Sequence, residues 1–426
     1  MASARISDAA DRIAVIGGGI VGVSTAHFLQ RDGHSVVLVE RGAPGARTSY
    51  GNAGAVAVGG VMPSGTPGLI WRVPKMLLDP CGPLALRWRY LPRIAPWLFA
   101  FLRASSPARV EAIARDRAAL AAGAEEAWRS LIRGSAVEGL LRPHPWLEVY
   151  DSDAGFADSA AERDLMTRLG VPYEVLDADA LRQLEPALAP IFRHGFLQGG
   201  AFVANPGRTV EALAARFAAE GGTIVRAEAR DLEPASPGWR IATDDGALRA
   251  ARVVVAAGAW SHRLLRRLGI AVPLETERGY HAMLAPVTPG LSHPTYWGER
   301  GFVLAPMEQG LRLTTGVELA GLDAPPDFRR LRRMIPLAQR MLPGLRPEPR
   351  SLWLGHRPSL PDSKPVIGPL PGHADAYLAF GHGHLGLTLG PVTGRIVADL
   401  VAGRAPGIDL RPFRADRNFA GRLDKG

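Results

Sequence analysis

Apolar residues cluster along this chain with two distinct periods, and the switches between them mark the predicted elements. Ile13 to Ile16 is an unbroken apolar run that predicts a buried strand, cut off by Gly17-Gly18-Gly19. Ile20 to Arg31 is compatible with a helix, Gly33 stops it, and Val36 to Val39 predicts a second buried strand closing on Glu40. Strand, glycine turn, helix and strand make one complete βαβ unit, the building block of a parallel sheet with helices on its faces.

The same reading carries through the chain. Residues 41–56 are rich in small residues and predict a loop. Prolines at 63, 67, 74, 80, 83, 92 and 96 lie among tryptophans and arginines, so residues 61–110 predict short helical pieces with an aromatic and basic face. Val110 to Arg133 predicts one long alanine-rich helix, Leu147 to Tyr150 a strand, and Ala160 to Leu169 and Leu176 to Leu184 two helices. Asn205-Pro206 opens a helix through Glu220, a strand runs from Thr223 to Ala227, and Asp244-Asp245-Gly246 turns a hairpin. A buried strand then ends in the small residues of 251–261. Gly279–Leu284, Gly301–Pro306 and Leu311–Val317 predict strands, and Phe328–Met341 a charged helix. Ala376–Phe380 predicts a strand before a glycine-rich turn and a last helix ending at Gly403. Segments 11–60, 205–272 and 350–420 are expected to form one discontinuous domain, and 61–204 with 273–349 a second.

Composition narrows the class. With 426 residues and 47% apolar content the chain can bury substantial cores, but its apolar stretches fall well short of the roughly 18 residues that span a bilayer. The first residues, MASARISDAADR, show no secretory signal, and one cysteine, Cys81, excludes an internal disulfide and a multi-cysteine metal site. A cytoplasmic location is expected, with no metal. The net charge of +9 comes from scattered arginines without a basic block interleaved with aromatics, so nucleic acid is not an expected partner. Residues 61–110 are expected to cover the active site, with contact to an anionic inner-membrane surface as the second reading.

The βαβ unit carries the first chemistry. Gly17, Gly19 and Gly22 spell G-x-G-x-x-G, and Glu40 follows 18 residues after Gly22. The first glycine allows a tight turn, the second lets a pyrophosphate approach the backbone, and the third lets helix pack on sheet. The helix start offers free N–H groups and the positive end of its dipole to the phosphates, and an acid at position 40 suits a ribose. The unit alone predicts a dinucleotide site and leaves NAD and FAD open.

Four separated pieces share one resemblance: the βαβ unit, RTSYGNAG (47–54), VVVAAGAWS (253–261), and HRPSLPDSKPVIG with FGHGHLGLTLGPVTG. Together they resemble the flavin-dependent glycine and D-amino-acid oxidase superfamily, in particular its D-amino-acid dehydrogenase branch. Residues 77–103 and TERGYH (276–281) also look like glyphosate oxidoreductase and the D-hydroxyproline dehydrogenases. The resemblance implies an α/β fold with a discontinuous Rossmann-type FAD-binding domain and an α+β substrate domain on a mixed or antiparallel sheet. It implies oxidation of a C–N bond of D-amino acids or related secondary amino acids to imino acids, by hydride transfer from the α-carbon to flavin N5. The electron acceptor it implies is oxygen or a quinone. Glyphosate- or glycine-type amine oxidation and D-hydroxyproline dehydrogenation are the rivals within the class. A tRNA-modifying flavoprotein and a non-catalytic nucleotide-binding module are rivals outside it.

The resemblance also distributes roles over this sequence. Gly17, Gly19, Ile20 and Gly22 would hold the pyrophosphate, Glu40 the ribose, and Arg41 would lie near adenine. Thr48, Ser49, Asn52, Ala53 and Gly54 would run along phosphates and ring, with Ala227 contacting adenine through its backbone and Gly258 closing the far side. His382, Gly386, Leu387 and Thr388 would sit at the flavin, where a helix start stabilises negative charge on the ring. Cys81 does not fall where relatives tether flavin, which implies non-covalent FAD. Arg357 is the candidate clamp for a substrate carboxylate, because a guanidinium grips it bidentately; a structural pairing with Asp362 is its alternative. Tyr280 is a candidate hydroxyl donor to the same carboxylate, and His384 a candidate proton acceptor from the amine. His281, His356 and Met307 are weaker pocket candidates.

Overall fold

The computed structural model describes residues 11–419. The segment 1–10, which holds most of the stretch read for a secretory signal, and residues 420–426, including the end of the expected third segment, lie outside the described residues.

Six strands form a sheet in the order 223–226, 36–40, 13–16, 252–255, 373–380 and 366–370. All neighbours are parallel except the last pair. The runs Ile-Ala-Val-Ile and Val-Val-Leu-Val are apolar without alternation because both faces are covered. Ile13 and Val15 point into the core beneath the helices, whereas Ala14 and Ile16 point to the opposite side, as the two-residue strand period requires. Helices 20–31, 206–219 and 386–401 cover one face; the meander 229–250 and the short helix 261–265 cover the other. The first and last helices touch through glycine. A Cβ on Gly394 would lie 2.7 Å from the Thr25 backbone nitrogen.

A nine-stranded mixed sheet runs 351–359, 275–284, 310–319, 302–307, 295–297, 147–150, 194–198 and 173–177, with 84–86 pairing alongside 317–319. Helix 329–341 lays Leu331, Met334, Ile335, Ala338 and Met341 on its outer face, the four larger side chains contributing about 1.5–3 kcal/mol each at most. A small third sheet joins 55–57, 200–203 and 141–142.

Several expectations change. The single helix expected over 110–133 is two, Pro107–Ala121 and Ala124–Ile132, broken at Ala122-Gly123 where the second helix turns to pack on helix 386–401. The helix expected from Leu176 begins at Ala178, because Leu176 belongs to strand Tyr173–Asp177 and the Asp177 carboxylate caps the Asp179 and Ala180 N–H groups. Ser351–Ser359 is the edge strand of the nine-stranded sheet, so the boundary expected at 350 moves beyond Ser359. None of residues 61–110 lines the cavity described below. They dock through Leu84–Leu86 and Trp97 and leave Trp71, Leu78, Trp88 and Phe99 outward at 84, 83, 66 and 62% exposure. No helix among the described residues is long and apolar enough to cross a membrane.

Candidate active site

A cavity of about 670 Å³ runs from the glycine turn to the nine-stranded sheet, within the size range of cofactor and ligand sites. Its first end is built by backbone. Gly17 has φ +115°, and a Cβ on Gly22 would overlap its carbonyl oxygen at 1.8 Å, so both positions require glycine. Gly22 therefore works from beneath the turn and does not line the cavity, whereas Gly17, Gly19 and Ile20 do. Gly19 caps its helix without a side chain, and Ser49 Oγ accepts the Ile20 N–H at 2.9 Å. Glu40, at the end of its strand, accepts the Gly18 and Gly42 N–H groups at 2.6 and 2.9 Å.

The neighbouring wall holds Arg41, Ala227 and Gly258. Arg41 lies over the Trp260 ring at 4.1 Å and 3.3 Å from Glu228; Trp260 went unremarked in the sequence because a lone aromatic after small residues carries no motif. Beside Gly258 there is open space where a Cβ would point. Along the loop, Thr48 donates to the His356 carbonyl, and Asn52 folds back on Ser49 and Gly54. Ala53 lines the cavity. Gly54 does not: a Cβ there would meet Phe202 and the Val203 carbonyl oxygen at 2.5 Å, so it serves packing.

Gly386, Leu387 and Thr388 open the last helix against the cavity, and the Thr388 hydroxyl bridges Ala55 and Ala57. His382 is buried 2.9 Å from Thr393 Oγ1, and burial pushes its pKa down to about 3, so the ring is neutral.

The other end gathers charge. Glu277 and Arg357 face each other in register on adjacent strands, and His384 reaches Glu277 Oε2 at 2.6 Å from the loop before the last helix. Burial pushes the Glu277 carboxyl up, but the hydrogen bond and charge of His384 and the charge of Arg357 outweigh it and hold it below the usual range. Arg357 is drawn down by burial and held charged by Glu277. Its Nη1 donates to the Gly316 carbonyl at 2.9 Å, and no carboxylate among the described residues lies within ion-pair distance. The alternative partner Asp362 is taken by Arg417 at 2.8 and 3.0 Å. Glu277 was missed because an acid inside a strand carries no signal until its cross-strand partner is known.

Tyr280 lines the cavity, but its hydroxyl donates to Glu318 Oε2 at 2.5 Å and accepts the Asp327 N–H at 3.2 Å. Burial and Glu318 push its pKa up to about 12. The proton expected for a substrate carboxylate is therefore engaged elsewhere. The weaker candidates His281, His356 and Met307 sit behind the wall. His281 stacks on Trp353 at 4.9 Å, with its pKa pushed down to about 3 by burial and then by Arg312. Cys81 lies off the cavity, 3.7 Å from the Arg333 carbonyl.

The profile of a family described as FAD dependent oxidoreductase matches residues 12–400. A D-amino-acid oxidase of Bradyrhizobium diazoefficiens is 38% identical over 417 residues, 95% of this chain and 98% of that protein. A D-amino acid dehydrogenase of Methylobacterium nodulans is 34% identical over 421 residues, 93% of this chain and 96% of that protein. Among solved structures, glycine oxidase from Geobacillus kaustophilus matches with a TM-score of 0.72 at 24% identity, covering 96% of this chain and 99% of that one. L-proline dehydrogenase from P. horikoshii matches with a TM-score of 0.70 at 18% identity, covering 93% of this chain and 94% of that one. These two share the fold. The backbone end suits the adenine dinucleotide of this family: it has a helix start whose cap residue, Gly19, carries no side chain, open space beside Gly258 and a strand-end carboxylate. The chain belongs to the FAD-dependent oxidoreductase family, and FAD is its cofactor.

Proposed function

We propose that the protein oxidises the C–N bond of D-amino acids, or of related secondary amino acids, to imino acids. The observation that carries this reading is Arg357: a half-buried guanidinium lining the cavity, with one backbone hydrogen bond and donors to spare for a substrate carboxylate. Bound FAD supplies a two-electron oxidant for the substrate α-hydrogen. The residues of the chain then orient and deprotonate. Arg357 fixes the carboxylate and so sets which face of the α-carbon is presented. Glu277 accepts the His384 Nε2–H, and the neutral form of this ring, with its lone pair on Nδ1, takes the proton of the substrate ammonium. His382, held neutral, adds no positive charge that would compete with Arg357. Glu40 with Gly17, Gly19, Arg41, Ala227 and Gly258 would hold the adenosine diphosphate half. FAD is non-covalent on this reading, because Cys81 lies off the cavity. The acceptor is oxygen or a quinone, and the exposed Trp71, Leu78, Trp88 and Phe99 beside Arg72 and Lys75 support peripheral contact with an anionic membrane.

The test is anaerobic mixing of the flavin-loaded protein with D-amino acids, hydroxyprolines, sarcosine, glycine and glyphosate. Bleaching by D-amino acids and not by their L-enantiomers is expected. No bleaching by any D-amino acid overturns the reading.

A further inference from the structure

The cavity does not end at Arg357. Its floor crosses the nine-stranded sheet past Gly279, Thr314 and Val303 to an acidic far end at Glu148, Glu162, Gln198 and Trp146. Glu148 is 6% exposed and accepts from Trp146 Nε1 at 3.0 Å, Tyr150 Oη at 3.0 Å and Gln198 Nε2 at 3.1 Å. Glu162 also lines the cavity, yet accepts no hydrogen bond from any described residue. Gln198 is 4% exposed, and its amide oxygen has no partner among the described residues.

Hydrogen bonding at this end is incomplete. Burial, and then the neighbouring Glu162, push the Glu148 carboxyl up; burial pushes Glu162 up against the pull of Arg117 and Arg163. Those two arginines do not line the cavity. Arg117 donates to the Ser363 and Gly60 carbonyls, and Arg163 to the Phe156 carbonyl. Glu162 and the Gln198 amide oxygen thus face the cavity wanting donors, with the hydrogen-bonded Glu148 carboxyl beside them.

Distance sets the ligand's length. Five strand steps separate the Arg357 strand from the Glu148 strand, about 24 Å between backbones at ~4.8 Å per step. Arg357 reaches in over Gly279 to the Gly316 carbonyl, two strands nearer the acidic end. A methyl side chain on a substrate held at Arg357 does not cross the remaining gap, whereas a chain of lysine or arginine length does.

We propose that Glu162, Glu148 and Gln198 form a side-chain subsite for the ammonium or guanidinium end of a long basic substrate. The enzyme then selects basic D-amino acids. This rests on the reading of Arg357 as the carboxylate clamp for an amino-acid substrate. The guanidinium or ammonium supplies the donors that the acidic end lacks, and the opposite charges at the two ends of the cavity set the substrate's direction.

The experiment compares D-arginine with its neutral isostere D-citrulline on the flavin-loaded enzyme. The kcat/KM ratio is expected to favour D-arginine about 30-fold or more, and Glu162→Gln to remove most of that preference. Binding gives a second readout. 5-Guanidinopentanoate, which lacks the α-amine and is not oxidised, should perturb the flavin spectrum at lower concentration than 5-ureidopentanoate. That advantage should shrink in Glu162→Gln and in Glu148→Gln. If D-citrulline and D-alanine reduce the flavin as efficiently as D-arginine, or if Glu162→Gln leaves the ratio unchanged, the subsite is overturned while the clamp stands. If no D-amino acid reduces the flavin, the parent reading fails and the subsite fails with it.

Discussion

The two ends of the cavity are made differently. The cofactor end is a local structure: 28 consecutive residues, 13–40, bring strand, turn, helix and acid together, and its contacts are mostly backbone N–H groups. The substrate end is assembled at long range, with Glu277, Arg357 and His384 meeting only because two strands pair in register and a loop folds over them. A backbone site tolerates side-chain variety but not added volume. A side-chain site tolerates volume changes nearby but not loss of a charge.

The largest effect should break the cofactor end outright. Gly22→Val places a side chain where even a Cβ overlaps the Gly17 carbonyl, and should lower flavin retained on purification by about tenfold or more, read from the ratio of flavin to protein absorbance. Full flavin content would show the turn can rearrange. Next, Arg357→Ala should lower kcat/KM for the preferred D-amino acid by roughly 30- to 1,000-fold while the protein stays yellow. Loss of flavin together with activity would mean that the two ends are not separable.

Histidines between the ends give the third test. His281 and His382 are buried with pKa values pushed from 6.5 down to about 3. The unfolded chain binds more protons than the folded one in that window. Stability is therefore full above about pH 6.5 and falls as pH drops toward 3, by up to about 1.4 kcal/mol per pH unit for each ring. Urea melts at several pH values would register this, and a flat profile would refute it. Smaller again, replacing Trp71 and Trp88 by serine should weaken binding to anionic vesicles about tenfold in sedimentation, without touching flavin content. Smallest of all, Glu40→Gln should weaken FAD about fivefold, measured by fluorescence on rebinding to the apoprotein.

Legibility in the sequence followed the same division. The βαβ unit was readable to within a residue because apolar runs and glycines act locally. The hairpin around Asp244-Asp245-Gly246 was equally plain, since its turn chemistry is self-contained. Strands 194–198, 200–203 and 351–359 were not, because Gly195, Gly199, Gly200, Gly355 and Pro358 interrupt the period that would announce them. Arg357 was singled out through its motif. Its neighbour Glu277 and the acidic far end were invisible, because strand pairing and the cavity's path are properties of the folded chain. Tyr280 shows the reverse error: the residue type suited a substrate contact, but Glu318 on the paired strand already holds its proton.

The position of the first strand has a consequence for synthesis. Ile13–Ile16 lies inside its sheet, with 36–40 on one side and 252–255 on the other. On the ribosome the second partner follows well over two hundred residues later, a wait of roughly 10 to 50 seconds at common elongation rates. During that time one edge of an all-apolar strand stands open. Nascent chains of this protein are therefore expected clients of holdase chaperones until residue 255 has emerged, and slowing translation before that point should lower its soluble yield.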